Sequence, residues 1–244
     1  MNDSFASEFR RALQTGFDEW GIEVLDEQQA RMLRFAQMVL EGNERLNLTR
    51  ITEPQEMAIK HFVDSLACLL VKLPAGNLRC IDVGTGAGFP GVPLAICRPG
   101  WDFILLDSLK KKLSFIDEAL DALGITNART LHARAEDAGQ DHELRGQFDL
   151  VVSRAVARLP ILVELCIPLL RVGGLFIAMK GAEGTQEMEE SGRALRELGS
   201  SIAEVVNLEL PLGMGERTLI VIKKDAPTKK CYPRRAGTPS KKPL

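Results

Sequence analysis

The sequence predicts an α/β fold: a mostly parallel sheet of βα units, antiparallel at its last strand, behind a helical N-terminal extension. Three features carry that expectation. Up to about residue 72, apolar side chains recur at helical spacing. From residue 79 onward, short apolar runs alternate with amphipathic stretches, the pattern of strands joined by crossover helices. The first of those runs enters a glycine-rich turn, Asp82-Val83-Gly84-Thr85-Gly86-Ala87-Gly88.

The elements follow in order. Residues 5–17 form a helix with Phe5, Phe9, Ala12 and Leu13 on one side. A second helix opens at Asp26, where Asp26 and Gln29 have capping-box spacing. It continues through Met32, Phe35, Ala36 and Val39, and it stops at Gly42-Asn43. A third covers residues 54–72. Strands are expected at Arg79–Val83, Phe103–Asp107, Arg129–Ala133, Phe148–Val152 and Leu175–Met179. The second is almost wholly apolar, as suits a strand covered on both faces. Leu109, Leu113, Ile116, Leu120 and Leu123 mark a helix that ends at Gly124. Val205–Leu210 and Arg217–Lys223 are joined by six residues, too few for a parallel crossover, so this pair is antiparallel. The organisation is therefore a helical region over 1–72, a sheet domain over 73–224, and an extended basic tail over 225–244 that adds little to the core.

Composition bounds the function. With 244 residues the chain buries enough surface to need no disulfide staples. Its five cysteines show no C-x-x-C spacing, and its three histidines are scattered, so we expect reduced, buried thiols and no metal. The first residues, Met1 to Arg11, include Asp3 and Glu8 and lack an apolar run, which argues against a secretory signal. Without a membrane-length apolar stretch either, the expected compartment is the cytoplasm. The net charge of −2 hides an asymmetry: Lys223 to Leu244 hold eight Lys/Arg against one acidic residue, the remainder 23 against 32. A basic tail on an acidic body points to an anionic partner.

In open α/β sheets, ligands lie beyond the carboxyl ends of the strands. Gly84, Gly86 and Gly88 end the first strand. Their G-x-G-x-G spacing lacks the third glycine of a dinucleotide fingerprint, since position 89 is Phe. Asp107 ends the second strand, 23 residues after Gly84, where a carboxylate accepts from ribose hydroxyls. Ala135-Glu136-Asp137 follow the third strand, placed to meet an adenine amino group. Any one of these alone reads as a tight turn or a solvated acid. In order, they fit a Rossmann-like class I sheet that binds S-adenosylmethionine. The fourth strand ends Ser153-Arg154-Ala155, without the Asn/Asp-Pro-Pro-aromatic sequence of amino-group methyltransferases on nucleic acid. Cys166, in the apolar run Leu165-Cys166-Ile167, reads as core rather than nucleophile.

These residues resemble the RsmG (GidB) family of bacterial guanine-N7 methyltransferases of small-subunit ribosomal RNA. The resemblance runs through Asn47-Leu48-Thr49, His61 to Leu66, Asp82 to Pro93, Leu106-Asp107-Ser108, Ser153-Arg154-Ala155, Met179-Lys180-Gly181, Arg217 with Leu219–Lys223, and Tyr232-Pro233-Arg234-Arg235. It implies cofactor contacts at Gly84, Phe89, Ala135, Glu136 and Arg154, beside Gly86, Gly88 and Asp107 from the strand-end argument. Guanine N7 attacks with a lone pair and has no proton to lose, so the site must supply alignment more than a base. The residues expected to do this are Arg154, His61, Asp64 and Lys180, although His61 and Asp64 also read as a helix-packing pair. The expected partner is 16S ribosomal RNA or the small subunit, met by a monomer. Phosphates are expected along Lys110, Lys111 and Lys112 and along Lys229, Lys230, Arg234, Arg235, Lys241 and Lys242. The same fold acting on a small molecule or a protein, or a non-catalytic ribosome-assembly module, are the competing readings.

Overall fold

The computed structural model describes residues 3–244; Met1 and Asn2, at the start of the expected helical region, lie outside it. Three helical segments come first. α1 (Asp3–Trp20) buries Phe9, Leu13 and Phe17. α2 (Asp26–Leu46) has its cap one residue earlier than expected. Leu25 is its N-cap, and the Gln28 side chain accepts from the Leu25 N–H at 3.0 Å. Gln29 instead turns inward to Gln14 and the Val24 carbonyl. Gly42 does not end α2: it lies against Phe115 and Leu48, where a side chain would not fit. The helix runs on to Asn47, which takes the left-handed conformation at φ 49° that asparagine tolerates.

The third segment is broken rather than continuous. α3 (Pro54–Met57) passes into a π-helical turn (Ala58–Val63), then α4 (Asp64–Leu66) and a short 3₁₀ turn. The wide turn inserts a residue into the helical ladder and re-aims the side chains on either side of it. His61 lies within it and Asp64 just after.

The sheet has seven strands, β1 (Arg79–Val83), β2 (Asp102–Asp107), β3 (Ala128–His132), β4 (Phe148–Arg154), β5 (Leu170–Lys180), β6 (Ser200–Glu209) and β7 (Glu216–Lys224). Their order is β3-β2-β1-β4-β5-β7-β6. The first five pair in parallel, and β7 is antiparallel to both β5 and β6. β5 begins five residues earlier than Leu175, because Leu170 pairs with Phe148 across a bulge. Away from the bulge between Phe148 and Leu150, side chains alternate between two hydrophobic clusters. Phe103, Leu105, Leu150, Val152, Ile177 and Leu219 face the N-terminal helices, α5 (Gly91–Cys97) and α6 (Lys110–Leu123). Ile104, Leu106, Val151, Phe176 and Ile220 face the other way, toward α7 (Ala135–Gln140), α8 (Leu159–Cys166), α9 (Gly184–Glu190) and α10 (Gly192–Leu198). This period-two burial on both sides explains why β2 carries no polar residue between Asp102 and Asp107. The N-terminal helices and one sheet face share a single cluster, so residues 3–72 have no core of their own.

Two expectations need correction. Cys68, Cys80, Cys97 and Cys166 are buried, but Cys231 is exposed. The tail is not a free extended arm. It docks along α7 and α8, with Tyr232 and Leu244 against the second cluster, Pro239 buried, and a short helix α11 (Thr238–Lys241) near its end. The reason is a buried carboxylate: Glu164, wholly enclosed in α8, is satisfied by Arg234.

Candidate active site

Above the carboxyl ends of β1 to β4 lies a cavity of about 590 Å³, lined by Gly84–Ala87, Phe89, Asp107, Ala133–Glu136 and Arg154 among others. The glycine turn is fixed from beneath. The Gly84 and Thr85 amides both donate to the Leu106 carbonyl, at 2.8 and 3.0 Å. Gly84 has φ +76°, and a Cβ there would meet Val156 at 2.3 Å. Gly86, at φ +61°, has only a backbone oxygen 4.0 Å from where its Cβ would be, so its missing side chain leaves open room in the cavity wall. A bound ligand can therefore approach the main chain there. Gly88 does different work. It is not part of the cavity wall; its missing side chain, at φ +99°, admits Phe35 and Val92.

Asp107 sits between the glycine turn and the β3 end. Oδ2 accepts from the Gly86 amide at 2.9 Å and Oδ1 from the Leu109 amide at 2.8 Å. A carboxylate has about four acceptor positions, so it keeps lone pairs for a diol. Beneath it, Asp82 is fully buried and Oδ2 accepts from the Gly91 amide at 2.9 Å. Burial pushes its pKa up to about 6, against the Thr85 hydroxyl and the Gly91 amide, which pull it down.

A second cavity, of about 550 Å³, adjoins the first across His61 and Arg154–Ala157, and extends to Lys60, Asp64, Lys180, Glu187 and Arg217. His61 is stacked on Phe89, ring centroids 4.6 Å apart, and its Nε2 lies 2.7 Å from the Thr49 hydroxyl. Asn43 Oδ1 accepts the Thr49 amide at 2.9 Å, so the residues around Asn47-Leu48-Thr49 serve to fix an imidazole twelve residues on. Burial first, and the Arg154 charge second, press the His61 pKa from 6.5 down to about 3, so it is neutral at pH 7. Its Nδ1 is buried without a partner among the described residues.

Arg154 Nη1 donates to Asp64 Oδ2 at 2.9 Å and to the Lys60 carbonyl at 3.0 Å, with its guanidinium 5.5 Å over Phe89. Asp64 Oδ1 accepts from Arg217 Nε at 3.0 Å. Thus one enclosed carboxylate, its side chain 2% exposed, holds two guanidiniums from distant strands. Lys180 Nζ donates to the Ala157 carbonyl at 2.6 Å and lies 2.7 Å from Glu187. Ala155 adopts φ +56°, left-handed for a non-glycine residue, at the rim where the cavities meet. Such strain at a cavity edge costs of the order of 1 kcal/mol or more and is retained only where the surroundings impose it.

The predicted residues thus fall into two groups. Gly84, Gly86, Phe89, Asp107, Ala135, Glu136 and Arg154 line the first cavity; His61 and Arg154 belong to both; Asp64 and Lys180 line only the second. Arg217, Thr49 and Glu187 were not among the expected site residues. Arg217 had a signal, as a basic residue just ahead of the apolar run Leu219–Ile222. Among the described residues, no group of three His, Cys, Asp or Glu is placed to hold a metal, and no helix is long and apolar enough to cross a membrane.

Comparison with known proteins agrees with this geometry. The GidB family model, described as rRNA small subunit methyltransferase G, matches residues 28–217. A ribosomal RNA small subunit methyltransferase G from Desulfitobacterium hafniense is 47% identical over 91% of this chain and 92% of its own length. The one from Deinococcus radiodurans is 45% identical over 99% and 95%. Among solved structures, the 16S rRNA (adenine(1408)-N(1))-methyltransferase of Catenulisporales acidiphilia shares the fold, with a TM-score of 0.51 at 16% identity over 63% of this chain and 88% of that one.

Proposed function

Because this chain belongs to the GidB family, rRNA small subunit methyltransferase G, we propose that it methylates N7 of a guanine in 16S ribosomal RNA. Membership makes it an S-adenosylmethionine-dependent rRNA methyltransferase. The observation that carries the finer reading is the meeting of two cavities at His61 and Arg154, one walled by the glycine turn and Asp107 and one by charged side chains.

When bound, S-adenosylmethionine supplies an electrophilic methyl group on a positively charged sulfur. Gly84 and Gly86 would let its amino-acid part lie close against the main chain, Asp107 would hold its ribose, and Ala135 and Glu136 its adenine. The open space at Gly86 and the spare lone pairs of Asp107 fit that assignment. Phe89 and Arg154 border the reacting end. Residues 73–224 form the catalytic body in this reading.

The guanine would enter the second cavity. N7 carries no proton, so a neutral imidazole at His61 and a carboxylate already bound to two guanidiniums at Asp64 suit the chemistry. His61 adds no charge where positive charge passes from sulfur to base, and its ring buttresses Phe89. Asp64 is a positioning residue: it holds Arg154 over Phe89. Lys180, with two of its three donors engaged, keeps one for the substrate. The buried thiols of Cys68 and Cys166 have pKa values driven far up by burial and are no nucleophiles. In A-form RNA the major groove is deep and narrow and hides N7, so the target guanine is unpaired or flipped out. The substrate is 16S RNA or the small subunit, met in the cytoplasm by a monomer without a metal. Mapping 7-methylguanine in ribosomal RNA from cells with and without this gene tests the reading. One guanine of 16S RNA should lose its methyl group in the deletion strain; an unchanged map would overturn the proposal.

A further inference from the structure

The C-terminal segment crosses the outer face of α8 and ends at the first cavity. Its anchor is buried. Arg234 donates from Nε and Nη2 to the two oxygens of Glu164, at 2.8 and 2.5 Å, and its backbone amide adds a third bond at 2.8 Å. Arg145 donates to the carbonyls of Thr228, Lys229 and Tyr232, and Gln140 to that of Pro233. Gly139 makes room for the Pro233 ring, since a Cβ there would meet it at 2.7 Å. Beyond the anchor, the Gly237 amide donates to Glu136 Oε1 at 2.9 Å, and Ser240 forms part of the wall of the first cavity.

The direction of the cofactor follows from the cavities. A methyl acceptor can reach the first cavity from the second, across His61 and Arg154–Ala157. The sulfonium of a bound cofactor would therefore lie at that side, and its adenosine end would point toward the part of the wall built from Ala133–Glu136 and Ser240. We infer that the C-terminal segment is part of the cofactor site: Ser240 and the Gly237-tethered Glu136 form the wall against which the adenosine end is held. The inference rests on the cofactor reading above. It gives the segment a role that its basic composition does not suggest. With one Glu136 oxygen fixed by the Gly237 amide, the side chain is oriented and the other oxygen is left to accept from an amino group.

The test is a calorimetric titration of three proteins: the full chain, a chain ending at Arg235, which keeps the Arg234 anchor, and the full-length variant Glu164→Gln. Each is titrated with S-adenosylmethionine and, separately, with adenosine. The shortened chain should bind both ligands about five- to tenfold more weakly, the scale of one or two lost hydrogen bonds. Glu164→Gln, which loosens the anchor, should shift both affinities in the same direction. In the unaltered protein, either ligand should slow amide hydrogen exchange at Gly237 and Ser240. Equal affinities for full and shortened chains overturn the inference. So does a loss confined to S-adenosylmethionine with adenosine unaffected, or an absence of protection in the intact chain. Failure of the full-length chain to bind S-adenosylmethionine at all would strike the cofactor reading instead.

Discussion

Asp64 shows how far one side chain can organise a site. It is enclosed, and its two oxygens are each taken by a guanidinium. Removing one member of a buried ion pair leaves an uncompensated charge, which costs about 3–5 kcal/mol. Asp64→Ala should therefore lower stability by about 3 kcal/mol in urea unfolding, whereas Arg217→Ala, whose partner keeps Arg154, should cost distinctly less. Equal costs would mean that the carboxylate is not the centre of the cluster. His61 makes a second prediction, through its pKa of about 3 against 6.5 when unfolded. Below 6.5 the unfolded chain takes up a proton that the folded chain refuses, so the stability His61 contributes is complete above that pH and is lost as pH falls. The loss is about 1.4 kcal/mol per unit, or about 2 kcal/mol by pH 5. Asp82 acts oppositely: its folded pKa of about 6 lies above the unfolded 3.8, so protonation of this group favours the folded state as pH drops. Comparing wild type with His61→Gln isolates the imidazole. The difference in unfolding free energy between them should shift against the wild type by about 2 kcal/mol from pH 7 to pH 5. A pH-independent difference would show that the folded protein protonates His61 normally.

At the level of elements, the glycine turn and the acid after β2 were legible because both are local. A strand end, a turn that only glycine adopts, and a carboxylate at the next strand end all lie within one βαβ unit. Asp107 serves the turn as well as the ligand proposed for it, since it fixes the Gly86 and Leu109 amides. Asp107→Ala should weaken S-adenosylmethionine binding by about 1.5–3 kcal/mol, the scale of hydrogen bonds to a charged acceptor. Methyl transfer at saturating cofactor should recover much of its rate; a rate that saturation cannot restore would contradict a binding role. The π-helical turn was not legible. Its residues have ordinary helical periodicity, and nothing in Ala58–Val63 announces the inserted residue that aims His61 and Asp64 toward β4. The Asp64–Arg154–Arg217 cluster was equally hidden, because its members are separated by 90 and 153 residues and meet only through the sheet order. Glu164 is the one polar side chain in the apolar helix α8, and only the fold shows that it holds the tail.

For the whole molecule, the question is where an anionic RNA meets an acidic body. Composition pointed to the tail, but the fold takes back part of its charge. Arg234 is bound to Glu164, Lys229 pairs with Glu197, and Lys224 is buried on the Leu170 carbonyl with its pKa lowered to about 8. Lys110, Lys111 and Lys112 stand differently. They begin α6, where the helix dipole is already positive, so each opposes the local electrostatics of its own helix by about 0.3–1 kcal/mol. None of the three makes an ion pair among the described residues, and Lys112 borders the first cavity. A local arrangement that costs stability beside a site is best explained by what the site binds. Neutralising these three lysines together should reduce the slope of log affinity against log salt by about 2–3, at ~0.7–0.9 per phosphate contact, measured on 16S RNA or the small subunit. Lys241→Ala with Lys242→Ala should remove about 1.5 from the slope on the same basis, and Lys229→Ala should leave it unchanged, since that charge is already paired. An unaltered slope in the triple variant would exclude the start of α6 from the RNA surface and return the phosphate contacts to the tail.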